Sequence, residues 1–448
     1  MTTLRTALRQ RRTLPLAFYL LAVGALFTDL AVSKALAQSP AQLNAAHGIG
    51  ALDIRPSATL LLPYWEVELD GDESLLVRVR NTSSESTLAH VSLWTDMARP
   101  TLNFHIYLTG FDTVLLDLAQ LFNQGLLPTT GPSVTDPGPY SLPNQEFPGC
   151  SFPLPSILPE ALRGYIRALH TGQAAPAGFP NTGLCGASLP GDGRARGFLL
   201  INVVDACSSG FPDQLGFFVD GGSGIAINDN RLWGEYLWQD SANSLGLSDP
   251  LVAIEARSSV AGGFWDAQDH TFYARYLNQS AIDNREPLAT TWALGYTRGD
   301  AEGEGPTELL CWRDSGLDDS FFFPCSQDPD QDAVSPYRLA QSRLVVFDQE
   351  ENLVELPGEP FSPPNDPDFF AICPFATNRV NLSDVPMLFP EGWMYLDLNT
   401  SSGALSDPIK QSHVTVVNTR SGSTHGAHVA TPLDNALAPV EDPFPEQN

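Results

Sequence analysis

The sequence predicts an all-β protein built as a β-sandwich, immunoglobulin-like or jelly-roll-like, with long disulfide-stapled loops and one or two short helices. Short β-type runs recur at spacings of roughly 8–15 residues. Turn clusters such as Asp70-Gly71-Asp72 and Asn81-Thr82-Ser83-Ser84 separate them. Six cysteines, at 150, 185, 207, 311, 325 and 373, follow an N-terminal segment that reads as an export signal.

That segment is the first element. Arg5, Arg9, Arg11 and Arg12 precede an apolar run from Leu14 to Phe27, and Ala35-Leu36-Ala37 supplies the small-x-small pattern of a signal-peptidase site. Residues 1–37 therefore read as a signal peptide, and the mature chain is expected to start at Gln38. The run is about 14 residues, short of the roughly 20 that a membrane span requires. Arg11-Arg12 leaves the twin-arginine route open beside the general one. The expected address is secreted, periplasmic or cell surface.

Residues 38–56 lack periodicity and read as an extended lead-in. Residues 57–123 form a first sandwich portion, with runs at Thr59–Leu69, Leu75–Arg80, Ala89–Thr95 and Phe104–Leu108. Leu75, Val77 and Val79 alternate with Leu76, Arg78 and Arg80, which predicts a strand with one face in the core and the other in water. Asp117 to Asn123 reads as a short helical turn. Residues 124–196 are a Pro/Gly-rich insertion carrying a helix over Pro159–Leu169, where Leu162, Tyr165, Ile166 and Leu169 share one face and Gly172 marks the stop.

Residues 197–430 form a second β-rich portion that could complete the same sandwich. Its strand-like runs are Gly197–Val204, Gly216–Val219, Leu251–Ala256, Thr271–Tyr276, Thr290–Tyr296, Glu308–Trp312, Arg343–Asp348, Gly392–Leu398 and His413–Asn418. Residues 431–448 are rich in proline and acid and read as a disordered tail. Val77–Val91 resembles Val414–Val429 as strand, Asn-Thr turn, strand, which either reflects shared hairpin chemistry or marks two related sandwiches.

An even cysteine count in an oxidising compartment predicts three disulfides. Spacing points to Cys150 with Cys185 and Cys311 with Cys325, which leaves Cys207 with Cys373. Without the signal the chain carries 19 basic and 51 acidic residues, a net 19 − 51 = −32. Nucleic acid and anionic membrane surfaces are poor partners for it. No transmembrane span is expected in the mature chain, and Lys410 is its one lysine.

The candidate chemistry is sparse. Period-2 alternation places Tyr64, Glu66, Glu68 and Asp70 on one strand face, an arrangement by which jelly-roll glycosidases pair acid and nucleophile, although acids on a wet strand face are common. Asp328, Asp330 and Asp332 present alternate carboxylates like the opening of a calcium loop, but Ala333 and Leu339 stand where its glycine and bidentate glutamate belong. A simpler surface calcium site is the expectation there, and Asp318-Asp319 and Asp366-Pro367-Asp368 are weaker versions. His425 and His428, with His413 and His90, form the one histidine cluster. Neither a nucleophile elbow, a P-loop nor a zincin motif is present. The tryptophans, among them Trp65, Trp94, Trp233, Trp238, Trp265 and Trp292, read as core fillers more readily than as sugar platforms.

Leu61-Leu62-Pro63-Tyr64-Trp65-Glu66-Val67, Ala89–Asp96 with Asn81-Thr82-Ser83, Asp283–Thr291 and Leu310–Asp314 are similar to segments of a family of secreted bacterial β-rich proteins with no assigned function. The resemblance implies an exported β-rich protein and transfers no catalytic residue. The expectation is a secreted or surface-exposed structural or binding protein that is not an enzyme. The alternative is a carbohydrate-binding or carbohydrate-active protein using the Glu66/Glu68 face.

Overall fold

The computed structural model describes residues 55–71, 73–128, 150, 157–179, 186–212, 214, 216–218, 224–240, 245–256, 272–273, 285–299, 305–314, 341–356, 371–385, 389–398, 411–420 and 423–433. The chain is all-β. In order, the strands are β1 (Thr59–Glu68), β2 (Ser74–Asn81), β3 (Thr87–Thr95), β4 (Pro100–Leu108), β5 (Thr113–Asp117), β6 (Arg194–Val204), β7 (Leu232–Asp240), β8 (Leu245–Pro250) and β9 (Val252–Ile254). They continue as β10 (Thr291–Thr297), β11 (Thr307–Arg313), β12 (Arg343–Phe347), β13 (Leu353–Leu356), β14 (Thr377–Asn381), β15 (Glu391–Asp397), β16 (Ser412–Arg420), β17 (Ser423–Val429) and β18 (Thr431–Pro432). Helices α1 (Leu118–Gln124) and α2 (Glu160–Thr171) lie between β5 and β6.

Four antiparallel sheets result, and their orders repeat. The first pair runs β4-β3-β6-β1-β9 and β5-β2-β7-β8; the second runs β13-β12-β15-β10-β18 and β14-β11-β16-β17. Adding nine to every strand of the first pair gives the second. Two nine-stranded repeats of one strand order therefore make up the described chain, the first from Thr59 to Ile254 and the second from Thr291 to Pro432. Strands β6 to β9, from the portion that follows residue 196 or runs up to it, belong to the sheets of the first repeat.

The sequence similarity at Val77–Val91 and Val414–Val429 joins positions that do not correspond. β2 and β3 lie in different sheets, whereas β16 and β17 are paired neighbours. Asn and Ser satisfy the backbone in both turns, so the likeness is one of turn chemistry.

In each repeat the two sheets contribute side chains to a shared core. The first combines Leu60, Leu62, Val91 and Ile201 of one sheet with Val77, Val79, Leu116 and Tyr236 of the other. The second combines Leu294, Val346 and Met394 with Leu309, Cys311 and Val416. The alternation read in β2 holds, with Leu75, Val77 and Val79 buried and Arg78 and Arg80 exposed. Both predicted helices form. Asp117 caps α1 by accepting from the Gln120 amide, and Gly172 ends α2 in the left-handed region at φ 62°.

In two predicted strands the described residues are not extended. Residues 216–218 and 272–273 are turns, and Phe217, Phe218, Phe272 and Tyr273 instead cover the outer face of the first five-stranded sheet beside Leu61, Leu200 and Ile254. Aromatic residues suit a strand and a loop that must cover apolar surface equally well. At the C-terminus Thr431–Pro432 pairs with Trp292 and Ala293, so the start of the expected tail is a strand.

The disulfides also differ from the expected pairing. Cys150 bonds Cys207 and Cys311 bonds Cys373. Cys207 follows β6 and brings Cys150 into the cover of the outer face, while Cys311 points from β11 into the core that Cys373 enters just before β14. Proximity in sheet order, rather than in sequence, selected the partners. Cys185 and Cys325 lie outside the described residues. Among the described residues no helix is long and apolar enough to cross a membrane.

Candidate functional site

The predicted carboxylate face forms only in part. A bulge between Leu62 and Trp65 inserts one residue into β1 opposite β6, which breaks the simple alternation. Asp70 lies beyond the strand in a turn at φ 64°, paired with Arg167 of α2 at 2.8 Å. Glu68 is half-exposed, 3.9 Å from Arg194.

Glu66 is buried at the centre of an ionic cluster. One carboxylate oxygen meets Arg194 Nε; the other accepts from Arg196 Nε at 2.9 Å and from the Tyr64 hydroxyl. Arg194 reaches Glu73 at 2.9 Å, and the Glu73 carboxylate accepts the Trp238 indole N–H at 2.6 Å and the Glu68 amide at 2.8 Å. Arg196 also pairs with Asp192 at 2.5 Å. From the second repeat, Arg379 stands 5.5 Å over the Trp238 ring while pairing with Glu308 at 2.9 Å.

Burial alone would raise the pKa of Glu66, but Arg196, Arg194 and the Tyr64 hydroxyl outweigh it and hold the carboxyl below its ordinary 4.5. Burial wins at Glu73, whose pKa is raised despite Trp238 and Arg194, and at Tyr64, which stays protonated beside Glu66. A glycosidase acid needs a carboxyl held protonated near neutral pH. Glu66 is tuned the opposite way, and both its oxygens are occupied.

Further buried ionisable groups surround this cluster. Asp96, at the end of β3, accepts from the Ser188 amide at 3.1 Å and its hydroxyl at 2.5 Å, and burial pushes its pKa up to about 7. His170 of α2 donates its Nδ1–H to the Arg196 carbonyl oxygen at 2.7 Å. Its ring lies 5.0 Å from both Trp65 and Phe122, and burial lowers its pKa to about 4.

The histidine cluster does not assemble as expected. His90 contacts His105 across β3 and β4 at 3.0 Å, His413 is buried 5.7 Å from the Trp292 ring, and His428 is exposed on β17. The His425 side chain lies outside the described residues, as do Asp328, Asp330 and Asp332 with the weaker acidic pairs. Among the described residues no group of three His, Cys, Asp or Glu could hold a metal. Trp65, Trp94, Trp238 and Trp292 fill cores, whereas Trp393 is 40% exposed and stacks on Phe347 at 4.0 Å.

Arg194 and Arg196 were not singled out in the sequence. Their alternation, opposite Glu66 and Glu68 in a chain almost without lysine, is the signal that identifies them. Compared with models of protein families, with curated proteins and with solved structures, the chain matches none.

Proposed function

We propose that this chain is a non-catalytic structural or binding protein that works outside the cytoplasm, secreted, periplasmic or on the cell surface. The observation that carries it is the closed cluster at Glu66. The acidic face that looked most like an active site ties β1 to β6, β2 and β7, with its carboxylates compensated by arginine, tyrosine and tryptophan. Two disulfides and the signal-like N-terminus support the address.

Glycan-array binding with Glu66→Gln and Glu68→Gln controls tests the reading. The expected result is no sugar signal that depends on either residue. A specific signal lost in those variants would replace it with the carbohydrate reading, for which half-exposed Glu68 offers the available carboxylate. The address is tested separately by sequencing the N-terminus of exported protein, which should return Gln38.

A further inference from the structure

The outer faces of the two five-stranded sheets correspond position by position. Pairing sets Trp94 of β3 opposite Phe198 of β6, and Phe347 of β12 opposite Trp393 of β15, and in both repeats the two rings stack, with planes 11° and 6° apart. Four residues further along the same strands a polar pair follows, His90 with Asn202 in the first repeat and Arg343 with Asp397 in the second. Thr59 of β1 and Thr291 of β10 extend those rows.

In the first repeat this face is covered. Phe211 stands edge-on to Trp94 and Trp312 edge-on to Phe198, each at 6.0 Å, while the Tyr273 hydroxyl donates to Asn202 at 2.9 Å and Arg285 donates to the Thr59 hydroxyl at 2.5 Å. These positions therefore accept rings and hydrogen-bonding groups together.

In the second repeat the indole of Trp393 is 40% exposed, and among the described residues Phe347 alone stacks on it, at 4.0 Å. Because Phe347 lies on β12, the opposite face of the indole turns toward β10, where the cross-strand neighbour is Gly295. Gly295 is exposed, and a Cβ there would meet nothing nearer than the Gly392 oxygen at 3.8 Å. The indole thus stands over an open floor. Polar groups border it: Glu391, two residues before Trp393 on the same strand face, accepts from the Gln349 amide at 2.5 Å, and Thr297 of β10 lies opposite Glu391.

We infer that this open face of Trp393 binds a neutral saccharide, one pyranose ring lying against the indole above Gly295 with its hydroxyls toward Glu391, Gln349 and Thr297. The C–H face of a sugar ring packs on a π-system, and its hydroxyl rim both donates to a carboxylate and accepts from an amide. Glu391 and a net charge of −28 disfavour an acidic sugar. The exposed part of the indole, 40% of roughly 250 Å², is about 100 Å², which suits one ring and falls far short of the roughly 800 Å² that each side of a stable protein interface buries. The inference rests on the reading above of a non-catalytic binding protein and names its ligand class.

Native affinity electrophoresis of the full oxidised chain through gels holding xylan, laminarin, hydroxyethyl cellulose or starch, beside a polymer-free gel, tests it. At least one polymer should retard the chain. Trp393→Ala removes the platform and Gly295→Val fills the floor, and each should weaken that binding at least about tenfold; Gly295→Val, at an exposed position with room for a side chain, should leave thermal melting unchanged. Trp233→Ala, on β7, should leave binding as it is. Passage through all four gels without retardation overturns the inference, as does retardation that survives both variants. A Trp393-dependent shift that appears equally in the polymer-free gel would mark a protein contact and overturn it too. Failure in all four gels would leave the non-catalytic reading standing, whereas cleavage of a bound polymer would refute that reading and keep the platform.

Discussion

Thr377 of β14 donates its hydroxyl to the main-chain oxygen of Pro63 at 2.6 Å, joining the second repeat to the bulge in β1 of the first. The same hydroxyl lies 3.0 Å from the Cys311 carbonyl, and the Thr377 amide donates to the Asp96 carbonyl at 3.2 Å. A bulge leaves a carbonyl without a ladder partner, and a residue of the other repeat supplies one.

Thr377→Val should therefore cost about 1–3 kcal/mol, because it keeps the shape and strands a buried acceptor. Leu310→Ala should cost about 2–5 kcal/mol. Since Leu310 and Val417 belong to the core of the first repeat, both variants should lower a single calorimetric transition. Two separable transitions, of which only one moves, would show that the repeats fold independently.

Glu66→Gln removes the charge that Arg194 and Arg196 share. Breaking a buried ion pair from one side costs about 3–5 kcal/mol, and chemical denaturation at neutral pH should report a loss of that order. A loss below about 1 kcal/mol would show the cluster to be solvated in solution.

The pH profile separates two groups of opposite sign. His105, His170 and His413 are held by burial near a pKa of about 4, from an ordinary 6.5. The native state resists protonation where the unfolded chain accepts it, so their contribution is complete above pH 6.5 and declines as pH falls toward 4. Asp96, raised by burial from 3.8 to about 7, does the reverse: its contribution is complete below pH 3.8 and is lost as pH rises through about 7. Asp96→Asn should steepen the fall in stability from pH 7 to pH 4, because it removes the compensating group. Unchanged slopes in urea titrations at these pH values would contradict the assignment.

Peptide mapping without reduction should return Cys150 joined to Cys207 and Cys311 joined to Cys373. With separations of 57 and 62 residues, each bridge restricts a long loop of the unfolded chain, and replacing either pair by serine should cost about 4 kcal/mol in the chain-entropy description. Recovery of a Cys150–Cys185 peptide would restore the local pairing.

Much of this was legible in the sequence where a single face decides the pattern. β2 alternates cleanly, and α2 carries its apolar stripe and glycine stop. β7 escaped notice because Gly234 interrupts it; a Cβ there would press on Leu251 and on the Arg78 carbonyl, so glycine marks close packing and not a turn. β5, β13 and β14 are short edge strands that expose Leu115 and Leu353 and bury Thr377 and Asn378, so they carry little periodicity. The Glu66 cluster was half visible: the carboxylates could be read, but their partners come from β6, more than a hundred residues away. The repeated strand order has no counterpart in the sequence similarity, because it lies in pairing rather than in composition.

The bulge in β1 has a further consequence for folding. A newly made chain with two copies of one strand order offers every strand two sets of matching neighbours, and β1 must wait for β6 while β10 waits for β15. The bulge in β1 makes the correct choice recognisable. A Cβ at 197 would overlap the Trp94 carbonyl oxygen and press on the Trp65 ring, so only a glycine-bearing strand fits beside the kinked one. β10 and β15 pair without such a kink. β15 carries its own close-packed glycine, Gly392, where a Cβ would overlap the Phe347 carbonyl oxygen, so the kink in β1, absent from β10, is what sets the two pairings apart: one irregular residue becomes proofreading of strand partners.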